Sequence, residues 1–348
     1  MTSTRGGRLR GNGTRVALAA ASLCGALGLA AGCGEKDESV SAGDAEQFEL
    51  ALDFFVNPDH AGIYAALENG RFEEAGLDVT PRVPSDPSAP IKLVAAGRAD
   101  LAISYEPEVL LARDQGLPVV AVAALVSDPL TSLISLPDAG ITEASDLRGK
   151  TIATAGIPYQ AAFLDRILRD ARVDAADVDQ VDVGLGLEPA VLSGKADAML
   201  GGFRNIEGVS LAERGENPRV LPVDKLGIPT YDELVLVANS DRVAEDPEAI
   251  RLFIAALERG TEDAVDDPEA ATDAVLEAGD GLDPKLTEAE IEATLPLLGS
   301  RGQDPYGFMD ETEWDEFAGF LADEGFIEAR PEPGEAFTNE LLPGEIPE

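Results

Sequence analysis

The sequence predicts an α/β fold: two doubly wound sheets, each covered by helices and joined by two crossing strands. Three observations lead there. From Phe48 onward, short apolar runs alternate with amphipathic helical stretches, the βαβα rhythm of a mostly parallel sheet. A second series of the same kind, beginning at Thr151, is nested between two segments of the first. Behind an N-terminal leader lie about 315 residues, more than a single core usually serves.

Taken in order, residues 48–56 read as a strand, 61–74 as a helix ended by Gly76, and 77–82 as the next strand. A helix at 91–96, a strand at 101–104, a helix at 109–115 and a buried strand at 119–126 complete the first series. Residues 133–136 are extended until Pro137-Asp138-Ala139-Gly140 breaks them. The second series runs through strands at 151–154, 181–183 and 198–201, with helices at 159–171 and 188–194 between them. A strong strand follows at 231–238, and beyond Pro247 the pattern is helical to about Glu328. The Pro- and Glu-rich tail from Arg330 is expected along the surface. The nesting assigns 48–135 plus 236–348 to one lobe and 136–235 to the other, with 133–137 and 231–237 as the crossings.

The N-terminus reads as an address. Arg5, Arg8, Arg10 and Arg15 precede any acidic residue, and residues 16–31 are apolar or small throughout. This stretch is shorter than the roughly 20 apolar residues a membrane span needs. A basic segment, a short apolar segment and a small-residue boundary define an export signal, here 1–32. The run Leu29-Ala30-Ala31-Gly32-Cys33 resembles a bacterial lipobox, with Ala30 where leucine is commoner. Cys24 lies in the removed part, so Cys33 would be the lone cysteine of the mature chain, a lipidation site rather than half of a disulfide. The polar, small residues 33–47 read as a flexible tether.

Composition narrows the function. The chain is 45% hydrophobic and 26% charged, which fits a globular protein. Its formal charge is −40, and losing the four leader arginines takes it to −44. Such a field disfavours nucleic acid, because phosphate binding needs clustered cations. One histidine and no spare cysteine leave no His/Cys metal site, and no Walker, dinucleotide or nucleophile-elbow pattern appears. No cofactor and no metal are expected.

In open α/β sheets ligands sit beyond the carboxyl ends of the strands. Five segments meet that rule: 53–60 (DFFVNPDH), 104–108 (SYEPE), 156–159 (GIPY), 201–207 (GGFRNIE) and 230–233 (TYDE). They supply aromatic faces, amides and carboxylates with few cations, a set suited to a neutral heteroaromatic ring. More modest roles stay open. His60 also suits a capping or packing residue, Tyr105 a residue packed under the next helix, and Glu207 a first-turn carboxylate. Phe54 and Phe55 alternate, so one is expected toward the core and the other toward the cleft.

The runs NPDHAGIYAALENGRFEEAGLDV, PSDPSAPIKLVAAGRADLAISYEPEVLLARDQGLPVVAVAALV, LSGKADAMLGGFRNIEG and GIPTYDELVLV resemble the ThiY-type binding proteins over about residues 48–340. That group is related to the aliphatic-sulfonate and nitrate receptors. The resemblance implies a two-lobed periplasmic-binding fold of type II. It also implies delivery of a formylated aminomethylpyrimidine, a thiamine breakdown product, to an ATP-driven importer. By residue it implies a ligand set of Phe54 (where tryptophan is usual), Asn57, His60, Tyr105, Phe203, Asn205, Glu207 and Tyr231, with Glu207 on the exocyclic amine.

Arg204 replaces a common aromatic residue and would bring a cation toward the cleft. The implied protein is a monomer, outside the cytoplasm, anchored through lipid on Cys33 and partnered by an ABC permease. Rival solutes are riboflavin and an aliphatic sulfonate, taurine or nitrate. Anion capture at a helix start is disfavoured by Gly156-Ile157-Pro158, since proline has no N–H and isoleucine no hydroxyl. An enzymatic rival is the yeast pyrimidine synthase of thiamine synthesis, which consumes its own histidine and carries a cysteine-rich motif that this chain lacks. Mass spectrometry of chain extracted from membranes should find a lipid-modified N-terminal Cys33; an unmodified start elsewhere would refute the anchor.

Overall fold

A computed structural model describes residues 45–299, 304–331 and 334–344. The leader, Cys33 and nearly all of the expected tether therefore lie outside the described residues. Among the described residues no helix is long and apolar enough to cross a membrane.

The first sheet holds β1 (Glu46–Ala51), β2 (Leu77–Arg82), β3 (Leu101–Ser104), β4 (Val119–Val126) and β10 (Leu234–Asn239), in the order β2-β1-β3-β10-β4. The second holds β5 (Thr131–Ser135), β6 (Thr151–Thr154), β7 (Asp179–Asp182), β8 (Ala198–Phe203) and β9 (Arg219–Pro222), in the order β7-β6-β8-β5-β9. Both sheets are mixed. β10 is antiparallel to β3 and β4, and β5 is antiparallel to β8 and β9. In each sheet the reversed strand is the one that arrives from the other sheet. The order and reversal repeat from sheet to sheet; the nested pattern of the sequence implied the two sheets but neither the order nor the reversed strand.

Local chemistry sets the boundaries. The single helix expected at 61–74 is two, α1 (Ala61–Glu68) and α2 (Arg71–Glu74). Asn69-Gly70 breaks it, with Gly70 in the left-handed region at φ 67°. β1 stops at Ala51, so Phe54 and Phe55 do not alternate on a strand, and neither enters the core: Phe54 is half-buried and Phe55 is 51% exposed. β9 had no sequence signal, because all four of its residues keep some exposure and no apolar alternation marks them. The helices between the strands include α3 (Pro90–Ala95), α4 (Glu106–Asp114), α5 (Pro158–Asp170), α6 (Leu187–Leu192) and α7 (Glu207–Glu213). Beyond β10 come α8 (Ser240–Glu245), α9 (Glu248–Asp266), α10 (Pro268–Ala278), α11 (Pro284–Thr294) and α12 (Glu311–Asp323).

The crossings lie elsewhere than expected. The chain leaves β4 at Val126 and enters the second sheet at Thr131; it returns between Pro222 and Leu234. Residues 133–135 are thus already part of the second sheet. The tail is also more deeply placed than its composition suggested. Ala336, Phe337, Leu341 and Leu342 are buried, and Ala121 N–H donates to Ala336 O while Thr338 N–H donates to Ala121 O. Phe337 packs on Trp314 with ring centroids 4.8 Å apart.

One carboxylate ties the two crossings together. Glu233, fully buried, accepts from the N–H groups of Leu130 and Thr131 at 2.7 Å each, from Thr131 Oγ1 at 2.8 Å and from the Tyr231 hydroxyl at 2.9 Å. The neighbouring Asp232 N–H donates to Glu106 Oε2 at 2.7 Å, and Asp232 Oδ2 accepts from Trp314 Nε1 at 2.6 Å. Replacing Glu233 by alanine orphans two buried N–H groups, each costing roughly 1–3 kcal/mol. The Glu233→Ala variant should lose at least about 2 kcal/mol in urea unfolding; unchanged stability would show that the clamp is dispensable.

Candidate functional site

A cavity of about 190 Å³ is walled by residues that follow the parallel strands. Asp53 to Asn57 come after β1, Tyr105 after β3, Ala155, Ile157, Tyr159 and Gln160 after β6, and Gly201, Phe203, Ile206 and Glu207 at and after the end of β8. Leu187 of α6 joins them, with Leu282 and Glu290 from the α10–α11 region. The strand-end rule thus located four of the five expected segments. The fifth, 230–233, is the buried crossing already described.

The turn after β1 is built around Asp53. Tyr105 OH donates to Asp53 Oδ2 at 2.8 Å, and His60 Nε2 lies 2.9 Å from Asp53 Oδ1. On the other side of the imidazole, Asn57 N–H donates to His60 Nδ1 at 3.3 Å. Nδ1 is therefore an acceptor, and the ring proton sits on Nε2, directed at Asp53. The Asn57 side chain caps the same turn, accepting from Asp59 N–H at 2.8 Å and donating to Phe55 O at 2.9 Å. This knot sets Phe54 and Phe55 on the cavity wall, ring centroids 5.6 Å apart and nearly perpendicular.

Aromatic packing continues across the site. Tyr105 lies 5.4 Å from Tyr159 and 6.5 Å, edge-on, from Phe203. Gln160 Oε1 accepts from Ala155 N–H at 2.8 Å. Its amide nitrogen approaches Gly201 so closely that a Cβ there would sit 2.2 Å away, and Gly201 has φ 110°. That position requires glycine.

Carboxyl groups supply the polarity. Glu207 opens α7 and reaches back to accept from Phe203 N–H at 2.7 Å. Burial is the main cause that lifts its pKa to about 7. Burial, reinforced by the charge of Glu207, lifts Glu290 to about 8. Asp59, buried behind this wall, accepts from Asn205 Nδ2 at 2.7 Å, and burial raises it well above the carboxylate range. The same Asn205 nitrogen donates to Thr294 Oγ1 at 2.8 Å. Among the described residues that line the cavity there is no lysine or arginine. Arg204 turns away, its Nε donating to Pro129 O at 3.3 Å.

Of the residues singled out in the sequence, the structure brings Phe54, Asn57, Tyr105, Phe203 and Glu207 to the cavity. His60, Asn205 and Tyr231 do not line it. His60 supports the Asp53 turn, Asn205 joins Asp59 to α11, and Tyr231 serves the Glu233 clamp. Tyr159, Gln160 and Asp53 are wall residues that lay within or next to the quoted segments without being singled out. Leu282 and Glu290 carried no signal, since nothing in a run of amphipathic helices shows which turn meets a remote cleft.

A family model, "NMT1/THI5 like", matches residues 57–271. The formylaminopyrimidine-binding protein of Halalkalibacterium halodurans is 35% identical over 298 residues, covering 84% of this chain and 90% of the relative. The chain belongs to the NMT1/THI5-like family. Enzymes are also among its relatives: the 4-amino-5-hydroxymethyl-2-methylpyrimidine phosphate synthase of Aspergillus parasiticus is 28% identical over 237 residues, 65% of this chain and 69% of that one. The alkanesulfonate-binding protein of Xanthomonas axonopodis pv. citri shares the fold, with a TM-score of 0.67 at 14% identity over 85% of this chain and 99% of that one. The periplasmic-binding fold expected from the sequence is therefore the fold observed.

The raised acids have a consequence for stability. Unfolded, Asp and Glu titrate near 4. Folded, Asp59, Glu108, Glu207 and Glu290 hold their protons to higher pH, Glu108 to about 7. Between about pH 4.5 and 8 the native chain binds more protons at these sites, so stability falls as pH rises. The melting temperature should drop from pH 5 to pH 8, and a rise across that window would contradict the buried-acid assignment.

Proposed function

We propose that this chain is the extracytoplasmic, lipid-anchored binding protein of an ABC importer, and that its cargo is a thiamine-derived aminopyrimidine taken up for salvage. A formylaminopyrimidine or its hydroxymethyl counterpart fits this description. The observation that carries the reading is the cavity itself, walled by aromatic rings and carboxyl groups with no cation among its described lining residues. Aromatic faces stack on a heteroaromatic ring, and carboxyl groups accept from its exocyclic amine. The Halalkalibacterium relative, a formylaminopyrimidine-binding protein, supports the same cargo.

The rival solutes fit less well. An anion would face Asp53, Glu207 and Glu290, while the start of α5 offers proline at its first position and the Ala155 N–H is already given to Gln160. A flavin, larger than an aminopyrimidine, fits a cavity of about 190 Å³ less well, since drug-sized ligands usually occupy roughly 300–1,000 Å³. Family membership leaves the synthase rival to be argued from the site. His60 has both ring nitrogens engaged and stands behind the cavity wall, which supports a binding role over a reaction that consumes histidine.

Calorimetry on the purified chain should give saturable binding of a formylated or hydroxymethyl aminopyrimidine, and Glu207→Ala should lose at least about 1.5 kcal/mol of it. Heat with taurine or riboflavin but none with the pyrimidines would overturn the assignment.

A further inference from the structure

Glu290 is the least expected residue of the cavity. It projects from α11, outside every strand-end segment, and is 8% exposed. Among the described residues no hydrogen-bond donor and no cation pairs with it. A positive group that acts on it, Arg214 at the end of α7, is engaged with Glu188 of α6 at 3.2 Å. The other charges that face it are acidic: Glu207 of α7, Glu188 of α6 and Asp59 of the turn after β1. A carboxyl group buried this far without a partner is costly unless a ligand supplies the partner or a proton removes the charge.

We propose that Glu290 is a second recognition residue: as a carboxylic acid it donates its O–H to a ring nitrogen of the bound aminopyrimidine, while Glu207 accepts from the exocyclic amine. This rests on the aminopyrimidine reading given above. The division of labour follows from the ring's own chemistry. An aminopyrimidine presents N–H donors at one edge and a lone-pair acceptor at another, and a carboxylate offers nothing to a lone pair. The acid form does. Burial, with the negative charges of Glu207, Glu188 and Asp59 added to it, keeps that form of Glu290 populated near neutral pH. The site thereby distinguishes a ring with an accepting nitrogen from an otherwise identical ring with C–H at that place.

The test uses the full chain, purified in detergent, with 4-amino-5-hydroxymethyl-2-methylpyrimidine as the calorimetric probe. Glutamine keeps a donor where the acid had one; leucine keeps only volume. At pH 7, Glu290→Gln should bind within about threefold of the unaltered chain and Glu290→Leu at least about tenfold more weakly, one lost hydrogen bond. From pH 7.5 to 9 the unaltered chain should lose affinity as Glu290 gives up its proton, whereas Glu290→Gln should stay flat. The pH profile of Glu290→Gln decides the matter even if the leucine variant does not fold.

Leucine binding as well as glutamate, or glutamine retaining the pH dependence, would overturn the inference while leaving the aminopyrimidine reading intact. No binding of either the hydroxymethyl or the formylated probe to the unaltered chain would overturn both.

Discussion

Two sheets that exchange strands must be joined where the chain is neither strand nor helix, and that is where backbone polar groups most need partners. Glu233 answers the requirement with a single carboxylate. It comes from the returning segment and satisfies two N–H groups of the outgoing one, so neither crossing can shift without disturbing the other. The cost of burying that carboxylate is visible in its raised pKa, opposed by the very hydrogen bonds that make it useful. The second sheet begins at this junction, since Thr131, which Glu233 binds through both N–H and hydroxyl, is the first residue of β5.

A similar economy governs the ligand cavity. Asp53 holds Tyr105 with one oxygen and His60 with the other, so a residue after β1 and a residue after β3 are fixed by one side chain. Asn57 closes the turn on which the Phe54 and Phe55 rings stand. Residues that hold the turn are thereby separated from residues that line the cavity. Phe55, half-exposed and edge-on to Phe54, lies on the cavity wall outside that support.

Most of the architecture was legible in the sequence because buried parallel strands are apolar runs bounded by turns, and such runs recur in the right order. The strand-end rule carried that legibility to the cavity, where Phe54, Asn57, Tyr105, Phe203 and Glu207 came together. It failed where local pattern and long-range contact part company. His60 and Asn205 look like ligand-facing polar residues but are occupied by Asp53 and Asp59, and nothing in the linear spacing shows that engagement. Glu290 failed in the opposite sense, resembling any other carboxylate on an amphipathic helix until α11 is seen to close the cavity. The tail was misplaced for a compositional reason: its prolines and glutamates hide the four apolar residues that anchor it beside β4.

The single tryptophan offers an unplanned reporter. Trp314 sits away from the cavity, its indole N–H bound to Asp232 within the returning crossing and its ring against Phe337. Its fluorescence is therefore blind to stacking on a bound solute. It responds instead to the returning crossing, so an emission change on adding ligand would register a rearrangement at that segment rather than stacking in the cleft.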